Sequence, residues 1–272
     1  MRTFTYKALH AMTWVAAFVV FAVFIFIISY ILVNGIPHLR LSLFEFQHNS
    51  QNVSMMPSII STLLVVVLTL LMAVPLGIFT AIYLVEYTRR GSKLVSVIRS
   101  TAELLAGIPS IVYGLFGLLF FVEFLGLGFS LIAGSLTLTI MILPLIIRTT
   151  EEALKSVSDG LREGAFALGS GKLRAVFKIV LPTATPGILA GTILATGRIV
   201  GESAALIFTA GTVAQIPMGF DYSVRTLAVH MWALSGEALH VDAAYATAVV
   251  LLAMVLIINT ISAFIAKKLA KV

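Results

Sequence analysis

The sequence has no cysteine and few charged residues. Only 11% of its 272 residues are Asp, Glu, Lys or Arg, whereas 60% are hydrophobic and the mean hydropathy is +1.07. The absence of cysteine excludes disulfides and thiolate metal sites. Soluble domains carry about 25% charged residues, so the shortage of charge excludes an ordinary soluble fold and indicates a membrane protein. The sequence offers no nucleophile–base set and no cluster of metal ligands, which argues against an enzyme.

Six apolar segments are long enough to cross a bilayer, which takes roughly 20 residues. They are Met12–Val33, Pro57–Val85, Leu104–Leu125, Phe129–Ile147, Thr183–Ala210 and Ala243–Ala266. A tight Gly126–Gly128 turn makes the third and fourth segments a hairpin. The sequence therefore predicts an all-α, polytopic membrane protein with six transmembrane helices.

Lysines and arginines gather on one side of this predicted membrane arrangement. That side holds Arg2, Lys7, Arg89, Arg90, Lys93, Arg99, Lys155, Arg162, Lys172, Arg174, Lys178, Lys267, Lys268 and Lys271. The opposite side holds Arg40 and Arg225. Because cytoplasmic loops carry the excess of basic residues, both termini are predicted to be cytoplasmic. The same distribution accounts for the net charge of +6 without nucleic acid as a partner.

A polar stretch from Glu151 to Pro182 separates the fourth and fifth spans, although most connections between elements are much shorter. Its pattern predicts a helix, a break and a further helix, with a short helix over Leu161–Leu168 that stops at Gly169. We divide the chain accordingly into three parts. These are residues 1–56, the first helix and an outer loop; 57–266, the transmembrane domain with the stretch 151–182; and 267–272, a cytoplasmic tail.

The short helix carries apolar and small side chains that suit a partner's surface. Its candidate docking residues are Leu161, Arg162, Glu163, Gly164, Ala165, Leu168 and Gly169. Leu161, Ala165 and Leu168 fall on one face at helical spacing. Arg162 and Glu163 are expected to pair with a partner at the rim. The composition fits equally well a helix that lies on the membrane surface without a protein partner.

The residues Gly169–Lys172 in this stretch partly match the sequence of a phosphate-binding loop. A Walker A loop needs Gly, four residues, and then Gly-Lys followed by Ser or Thr. Around Lys172, Leu173 occupies the hydroxyl position and Phe166 the position of the first glycine. The match fails, so the chain is expected to bind no cofactor of its own.

A charged group lies within the fifth predicted span, where Arg198 is followed at i+4 by Glu202 and then by Ser203. A charge at the bilayer centre costs roughly 2.5–3.5 kcal/mol and therefore usually serves a function. Two interpretations remain, a structural ion pair within one helix and a substrate pathway that includes Ser203. The first is weakened because Arg before Glu is the less favourable order along a helix.

Arg148, at the end of the fourth span, either snorkels to the lipid headgroups or joins Arg198 at a binding site. The planar fork of arginine suits an oxyanion, particularly phosphate. In this arrangement Glu202 would accept a hydrogen bond from a protonated phosphate. Because sulfate has no proton to offer, Glu202→Gln is expected to lower the preference for phosphate over sulfate.

The polar stretch resembles the EAA motif of ABC-importer permeases. Glu163, Ala165, Gly169, Ile179, Leu181 and Pro182 match that motif, and Gly164 replaces its usual alanine. The resemblance implies that Leu161–Gly169 is a coupling helix that sits in a cleft of a nucleotide-binding subunit.

Three further blocks, Gly107–Phe116, Arg148–Leu154 and Gly197–Gly211, resemble the permease subunits of the bacterial phosphate ABC importer. The run Ile207–Ala210, the short N-terminus and the ending Ala244–Asn259 are similar to the A type of these permeases. Ser203 and Ala205 depart from that type, which usually has threonine and proline at these two positions. The resemblance implies that Arg148 and Arg198 matter for transport. It also implies a bacterial or archaeal cytoplasmic (inner) membrane, a second related permease subunit and two ATP-binding subunits at the cytoplasmic face. An extracytoplasmic phosphate-binding protein would dock on Asn34–Met56 and Gly211–Asp242.

Together, the residues and the resemblance predict a non-catalytic permease subunit of an ATP-driven importer that moves inorganic phosphate into the cytoplasm. Two alternatives stay open. The chain could carry another oxyanion such as sulfate or molybdate, or it could be a passive channel or carrier that needs no ATPase.

Overall fold

The computed structural model describes residues 2–88, 92–236 and 240–269. Arg89, Arg90 and Lys271, which contributed to the predicted orientation, lie outside the described residues, as does the part of the tail 267–272 that follows Leu269. Every regular element within the described ranges is helical.

Eleven α-helices are described. They are α1 (Arg2–Gly35), α2 (Met56–Ile82), α3 (Lys93–Ala106), α4 (Ser110–Gly117), α5 (Leu131–Lys155), α6 (Asp159–Ala167), α7 (Lys172–Ala175), α8 (Leu181–Val200), α9 (Ala204–Ile207), α10 (Leu227–Gly236) and α11 (Val241–Leu269). Short 3₁₀ turns, Ile36–His38 and Leu41–Phe44, follow α1. π-Helical segments extend α2 over Tyr83–Tyr87 and α4 over Leu118–Phe124, and Val176–Val180 joins α7 to α8.

Among the described residues, five helices are long and apolar enough to cross a membrane, and the bent pair of α3 and α4 makes a sixth candidate. The prediction of an all-α membrane protein with six spans is confirmed. The side of the membrane on which the termini lie stays a prediction. The short helix of the polar stretch is also present as α6, and it stops where Gly169 adopts a φ of 78°.

The third span is not the continuous helix Leu104–Leu125 that we predicted. The chain bends by 101° between Val95–Ala106 and Ser110–Phe124. Pro109 causes the break, because the residue before a proline is disfavoured in the helical conformation. The Gly107 N–H donates to the Leu104 carbonyl at 3.1 Å and so ends α3.

The fifth span is also shorter than the predicted Thr183–Ala210. Helix α8 ends at Val200, and the next helix, α9, begins only at Ala204. Gly201 caps α8 through its N–H, which donates to the Gly197 carbonyl at 3.3 Å. Glu202 therefore lies beyond the last turn of the helix that carries Arg198.

Helix α5 is the centre of the molecule. Its most apolar stretch is 67% buried within the chain, whereas the corresponding stretch near the N-terminus is 0% buried. α5 packs against α2 on one side and α8 on another. On α8, Gly187 faces Ala153 and Gly191 faces Thr149 so closely that any side chain at either glycine would collide. Small residues of this kind let transmembrane helices approach.

The loop between α9 and α10 fixes the first turn of α5. The N–H groups of Leu131 and Ile132 donate to the carbonyls of Tyr222 and Phe220 at 2.9 and 3.0 Å. These bonds satisfy donors that a helix N-terminus otherwise leaves without partners. The central helix is therefore held at this end by the loop and at its sides by α2 and α8.

Candidate substrate cleft and coupling surface

A cleft of about 280 Å³ lies beside α5 and carries both arginines that the sequence singled out. Arg148 projects into it from α5 and Arg198 from α8. The cleft is also lined by α3, through Arg99, Ala102, Glu103 and Ala106. The structure thus brings together two arginines that lie 50 residues apart in the sequence.

The packing of α5 against α8 sets the relative depth of the two arginines. The contacts of Gly187 with Ala153 and of Gly191 with Thr149 define an antiparallel register. Continued toward the end of α8, this register places Arg198 level with Ile142. Since α-helices rise 1.5 Å per residue, Arg198 lies about 9 Å farther than Arg148 from the Lys155 end of α5.

The two arginines differ in their partners. The Arg148 side chain is 67% exposed, and its Nε donates to Glu152 Oε1 at 3.1 Å, one helical turn onward. Arg198 is exposed and forms no ion pair or side-chain hydrogen bond with any residue in the described ranges. A guanidinium without an acceptor is costly within a membrane, so Arg198 is available for an anion.

Sequence reasoning missed five further charged side chains of the cleft wall, those of Arg99, Glu103, Glu151, Glu152 and Lys155. The Glu151 side chain is only 8% exposed and pairs with Arg99 of α3 and with Lys155 Nζ, the latter at 2.6 Å. The i, i+4 order of Glu before Lys is the favourable one on a helix and could have revealed the second pair. Nothing in the sequence linked Arg99 to Glu151.

The cleft carries four cations, Arg99, Arg148, Lys155 and Arg198, against three carboxylates, Glu103, Glu151 and Glu152. Two of the carboxylates are already paired, since Glu151 and Glu152 bind the cations described above. The cations outnumber the carboxylates by one, and Arg198 is the only one of the four cations without an ion-pair partner among the described residues. No three His, Asp or Glu side chains come together as metal ligands would in the part of the chain that the structure describes.

Glu202 and Ser203 do not line this cleft. They lie in the break between α8 and α9, and Glu202 Oε1 accepts a hydrogen bond from the Ala205 N–H at 3.1 Å. Glu202 thus caps the start of α9. The helical i, i+4 pairing of Arg198 with Glu202 was wrong, because the helix ends at Gly201 before Glu202 can complete the turn.

Arg198 also lines a second, more open cavity of about 660 Å³ between α5, α8 and α11. Leu145 lines both cavities and lies between them with Arg198. Across the second cavity, the Oδ1 of Asn259 is buried and has no hydrogen-bond partner among the described residues. Arg198 therefore lies at the boundary between the two cavities, a position that no pattern in the sequence indicated.

Helix α6 presents an exposed surface at the far end of α5. Leu161, Glu163, Phe166 and Leu168 are exposed, and Leu168 keeps 91% of its accessible surface. Gly164 has no heavy atom within 4 Å of the position that a Cβ would take, so the helix is open on that side. Ala165, which we expected on the exposed face with Leu161 and Leu168, is instead buried against its own chain.

Arg162 does not reach outward from α6 as we expected. Its side chain is only 15% exposed, and its Nη2 donates to Glu86 Oε1 at 3.0 Å. The reason is the position of Arg162 in the first turn of α6, where it faces the ends of α2 and α5. Of the two charged residues that we expected at the rim of the α6 surface, only Glu163 is therefore exposed there.

Comparison with known proteins shows to which family the chain belongs. Residues 73–271, about three quarters of the chain, match the family described as binding-protein-dependent transport system inner membrane component. The chain belongs to this family. It is accordingly an ABC transporter permease chain of the cytoplasmic (inner) membrane.

Individual relatives agree with that assignment. The chain is 34% identical over 260 residues to the probable ABC transporter permease protein YqgI of Bacillus subtilis, an alignment that covers 89% of this chain and 87% of the relative. It is 41% identical over 162 residues to the phosphate transport system permease protein PstA of Mycobacterium leprae, with 59% of this chain and 53% of that one covered. A membrane subunit of the MetNI methionine ABC transporter shares the fold, with a TM-score of 0.60, 19% identity, and 88% and 96% of the two chains covered.

Proposed function

We propose that this permease conducts inorganic phosphate into the cytoplasm as one membrane subunit of an ATP-driven importer. The observation that carries the proposal is the placement of Arg148 and Arg198 in one cleft, with Arg198 free of any acceptor in the described ranges. Two guanidinium groups at different depths offer an oxyanion successive charge-assisted hydrogen bonds along α5 and α8.

The choice of phosphate over other oxyanions is supported by relatives that are named phosphate transport system permease proteins. The cleft itself is suited to oxyanions in general, since guanidinium forks pair with phosphate and sulfate alike. Sulfate and molybdate are therefore the competitors that a test must include. Since Glu202 caps α9, we assign the anion to Arg148 and Arg198 rather than to the pair of Arg198 with Glu202.

We further propose that α6 docks on an ATP-binding subunit at the cytoplasmic face through Leu161, Glu163, Gly164 and Leu168. Their exposure on a helix outside the membrane supports this role. The chain would pair with a second related permease, and two ATP-binding subunits would lie at the cytoplasmic face. A phosphate-binding protein would dock on the opposite side, on Asn34–Met56 and Gly211–Asp242. ATP is used by the partner subunits, and this chain supplies the pathway.

Transport then follows from alternating access. ATP binding moves α6, and the spans shift as rigid bodies so that the cleft opens in turn to each side. The anion passes from Arg198, the deeper group, to Arg148, which lies nearer the α6 end. Because the Arg148 guanidinium is shared with Glu152, it holds the anion less firmly and allows release.

The test is ATP-driven phosphate uptake into proteoliposomes that contain the complete importer. Arg198→Ala and Arg148→Ala are expected to lower uptake roughly tenfold or more, since each removes charge-assisted hydrogen bonds. Arg198→Lys should retain part of the activity because it keeps the charge without the fork. Lys268→Ala, an exposed cation outside both cavities, is the control and should leave uptake unchanged.

Two outcomes contradict the proposal. Competition by sulfate or molybdate as strong as that by unlabelled phosphate would show another substrate. Uptake that continues without ATP would show a passive carrier.

A further inference from the structure

Arg162 is the most extensively bonded side chain of the α6 region. Its Nε and Nη2 donate to Glu86 Oε1 at 3.1 and 3.0 Å, and its Nη1 donates to Asp159 Oδ1 at 3.1 Å. Nη1 and Nη2 also donate to the carbonyls of Val157 and Leu154 at 2.6 and 2.8 Å. One guanidinium thus bonds to three separate parts of the chain.

Asp159 belongs to α6 itself, whereas the other acceptors lie at the ends of two transmembrane helices. Glu86 lies in the π-helical segment Tyr83–Tyr87 that ends α2. The Leu154 and Val157 carbonyls lie in the last turn of α5 and just beyond it, where a helix leaves carbonyl groups unsatisfied and favours a cation. Arg162 therefore caps α5 and at the same time binds α2.

Burial makes this contact firm. The side chains of Arg162 and Glu86 are only 15% and 9% exposed, although most other residues of α6 are exposed. Beneath the pair, Ile82, Leu154 and Val157 belong to one buried apolar cluster. An exposed ion pair contributes little, but a charge pair shielded from water and satisfied by several hydrogen bonds is costly to break from one side.

We propose that Arg162 and Glu86 form a clamp that makes α6 move as one body with the ends of α2 and α5. A displacement of α6 by the ATPase then passes directly to α5, the helix that carries Arg148 and one wall of the cleft. Arg162 and Glu86 are positioning residues in this account, and neither touches the transported anion. The inference rests on the proposed function, because it needs an ATPase that acts on α6.

The clamp competes with the simpler idea that Arg162 contacts the ATPase itself. A variant at Glu86 distinguishes these two explanations, because Glu86 lies on another helix and its side chain, only 9% exposed, is not available to the ATPase. The experiment uses the complete importer in proteoliposomes and measures the phosphate transported per ATP hydrolysed, with co-purification of the ATP-binding subunit as a check on assembly. Glu86→Gln is the test variant. Glu123→Gln, an exposed carboxylate after α4, is the matched control.

If the clamp transmits the motion, Glu86→Gln keeps the ATP-binding subunit and its hydrolysis but lowers phosphate moved per ATP by roughly two- to thirtyfold, the range expected for coupling residues. Arg162→Lys is expected to lose coupling as well, because one ammonium cannot reach all the acceptors. An unchanged ratio in Glu86→Gln overturns the clamp. Wild-type importer that hydrolyses ATP but moves no phosphate overturns the proposed function instead.

Because the chain has no cysteine, a second experiment can use cysteines introduced at the two clamp positions. The double variant Glu86→Cys with Arg162→Cys can be bridged by a short bis-methanethiosulfonate cross-linker without other reactive thiols in this chain. The clamp predicts that cross-linking restores transport per ATP toward the wild-type value. Cross-linked importer that hydrolyses ATP but has lost transport shows that the two residues must separate during the cycle, which overturns the proposal.

Discussion

Arg99 of α3 forms an ion pair with the buried carboxylate of Glu151 on α5, and this pair fastens the bent third span to the central helix. Lys155 binds the same carboxylate from the next turn of α5. The Glu151 carboxylate is therefore shared by two cations, whereas Arg148 pairs with the separate carboxylate of Glu152. The charge balance of the cleft therefore depends on a residue that contacts no anion.

Arg99→Ala is expected to lower the free energy of unfolding by about 1–2 kcal/mol. This is less than for a fully buried pair, because Arg99 is 42% exposed and Lys155 remains. Lys155→Ala should cost less, and the double variant should cost more than the sum of the two. Thermal unfolding of the purified chain in detergent measures all three. Lys93→Ala, an exposed cation on the same helix, should change stability by less than about 0.5 kcal/mol.

Gly191→Val is expected to destabilise the chain by about 1–3 kcal/mol, because the new side chain collides with Thr149 and pushes α8 away from α5. The control is Gly164→Ala, where no heavy atom lies within 4 Å of the added Cβ. That change should stabilise α6 by up to about 1 kcal/mol through helix propensity alone. Equal unfolding temperatures for the two variants would contradict the close contact of α5 with α8.

Glu202→Gln is expected to leave the discrimination between phosphate and sulfate unchanged, contrary to the hypothesis drawn from the sequence. Glutamine retains the side-chain oxygen that accepts from the Ala205 N–H, so stability should also change little. Glu202→Ala removes that acceptor and should cost about 1 kcal/mol, as for other helix caps. Competition of sulfate with phosphate uptake is the measurement. A loss of phosphate preference in Glu202→Gln would reinstate the carboxylate as an anion contact.

His230, on the short helix α10 outside the long spans, should make the chain sensitive to acid. Burial, followed by the positive charge of Arg225 and the neighbouring His48, lowers the pKa of His230 from 6.5 to about 3. The unfolded chain then binds a proton that the folded chain excludes. Stability is complete above about pH 6.5 and falls as the pH drops toward 3.

The unfolding temperature at about pH 5 should therefore lie below that at about pH 7.5. His230→Gln should show a smaller difference between the two. His10→Gln, at an exposed position on α1, should retain the difference of the wild type. A wild-type unfolding temperature that does not change with pH would contradict a buried neutral His230.

The spans and helix α6 could be predicted because each depends on residues that are close together in the sequence. Long apolar runs predicted five of the spans directly, and the helical spacing of Leu161, Ala165 and Leu168 before Gly169 predicted α6. The break at Gly107–Pro109 was also visible as a proline signal, but the apolar run around it favoured a continuous span. The predicted helix boundaries were wrong where a short Gly or Pro pattern that breaks a helix lay within a long hydrophobic segment.

The site was only partly predictable for a different reason. Arg148 and Arg198 were found because an arginine within or beside an apolar run is conspicuous. The pairs of Glu86 with Arg162 and of Arg99 with Glu151 join residues 76 and 52 positions apart, and such contacts leave no mark in local spacing. Arg162 was consequently expected to face a partner, although its acceptors lie within the chain.

The bend between α3 and α4 has a consequence for the surrounding lipid. The part of the bent pair that follows Pro109, Ser110–Phe124, has only fifteen residues. Fifteen residues at 1.5 Å each span about 22 Å, whereas the hydrocarbon layer of a typical bilayer is about 30 Å thick. Acyl chains beside α4 must shorten or tilt to cover so short a helix. The thickness of the host membrane should thus influence this permease, with shorter acyl chains matching the flank of α4 best.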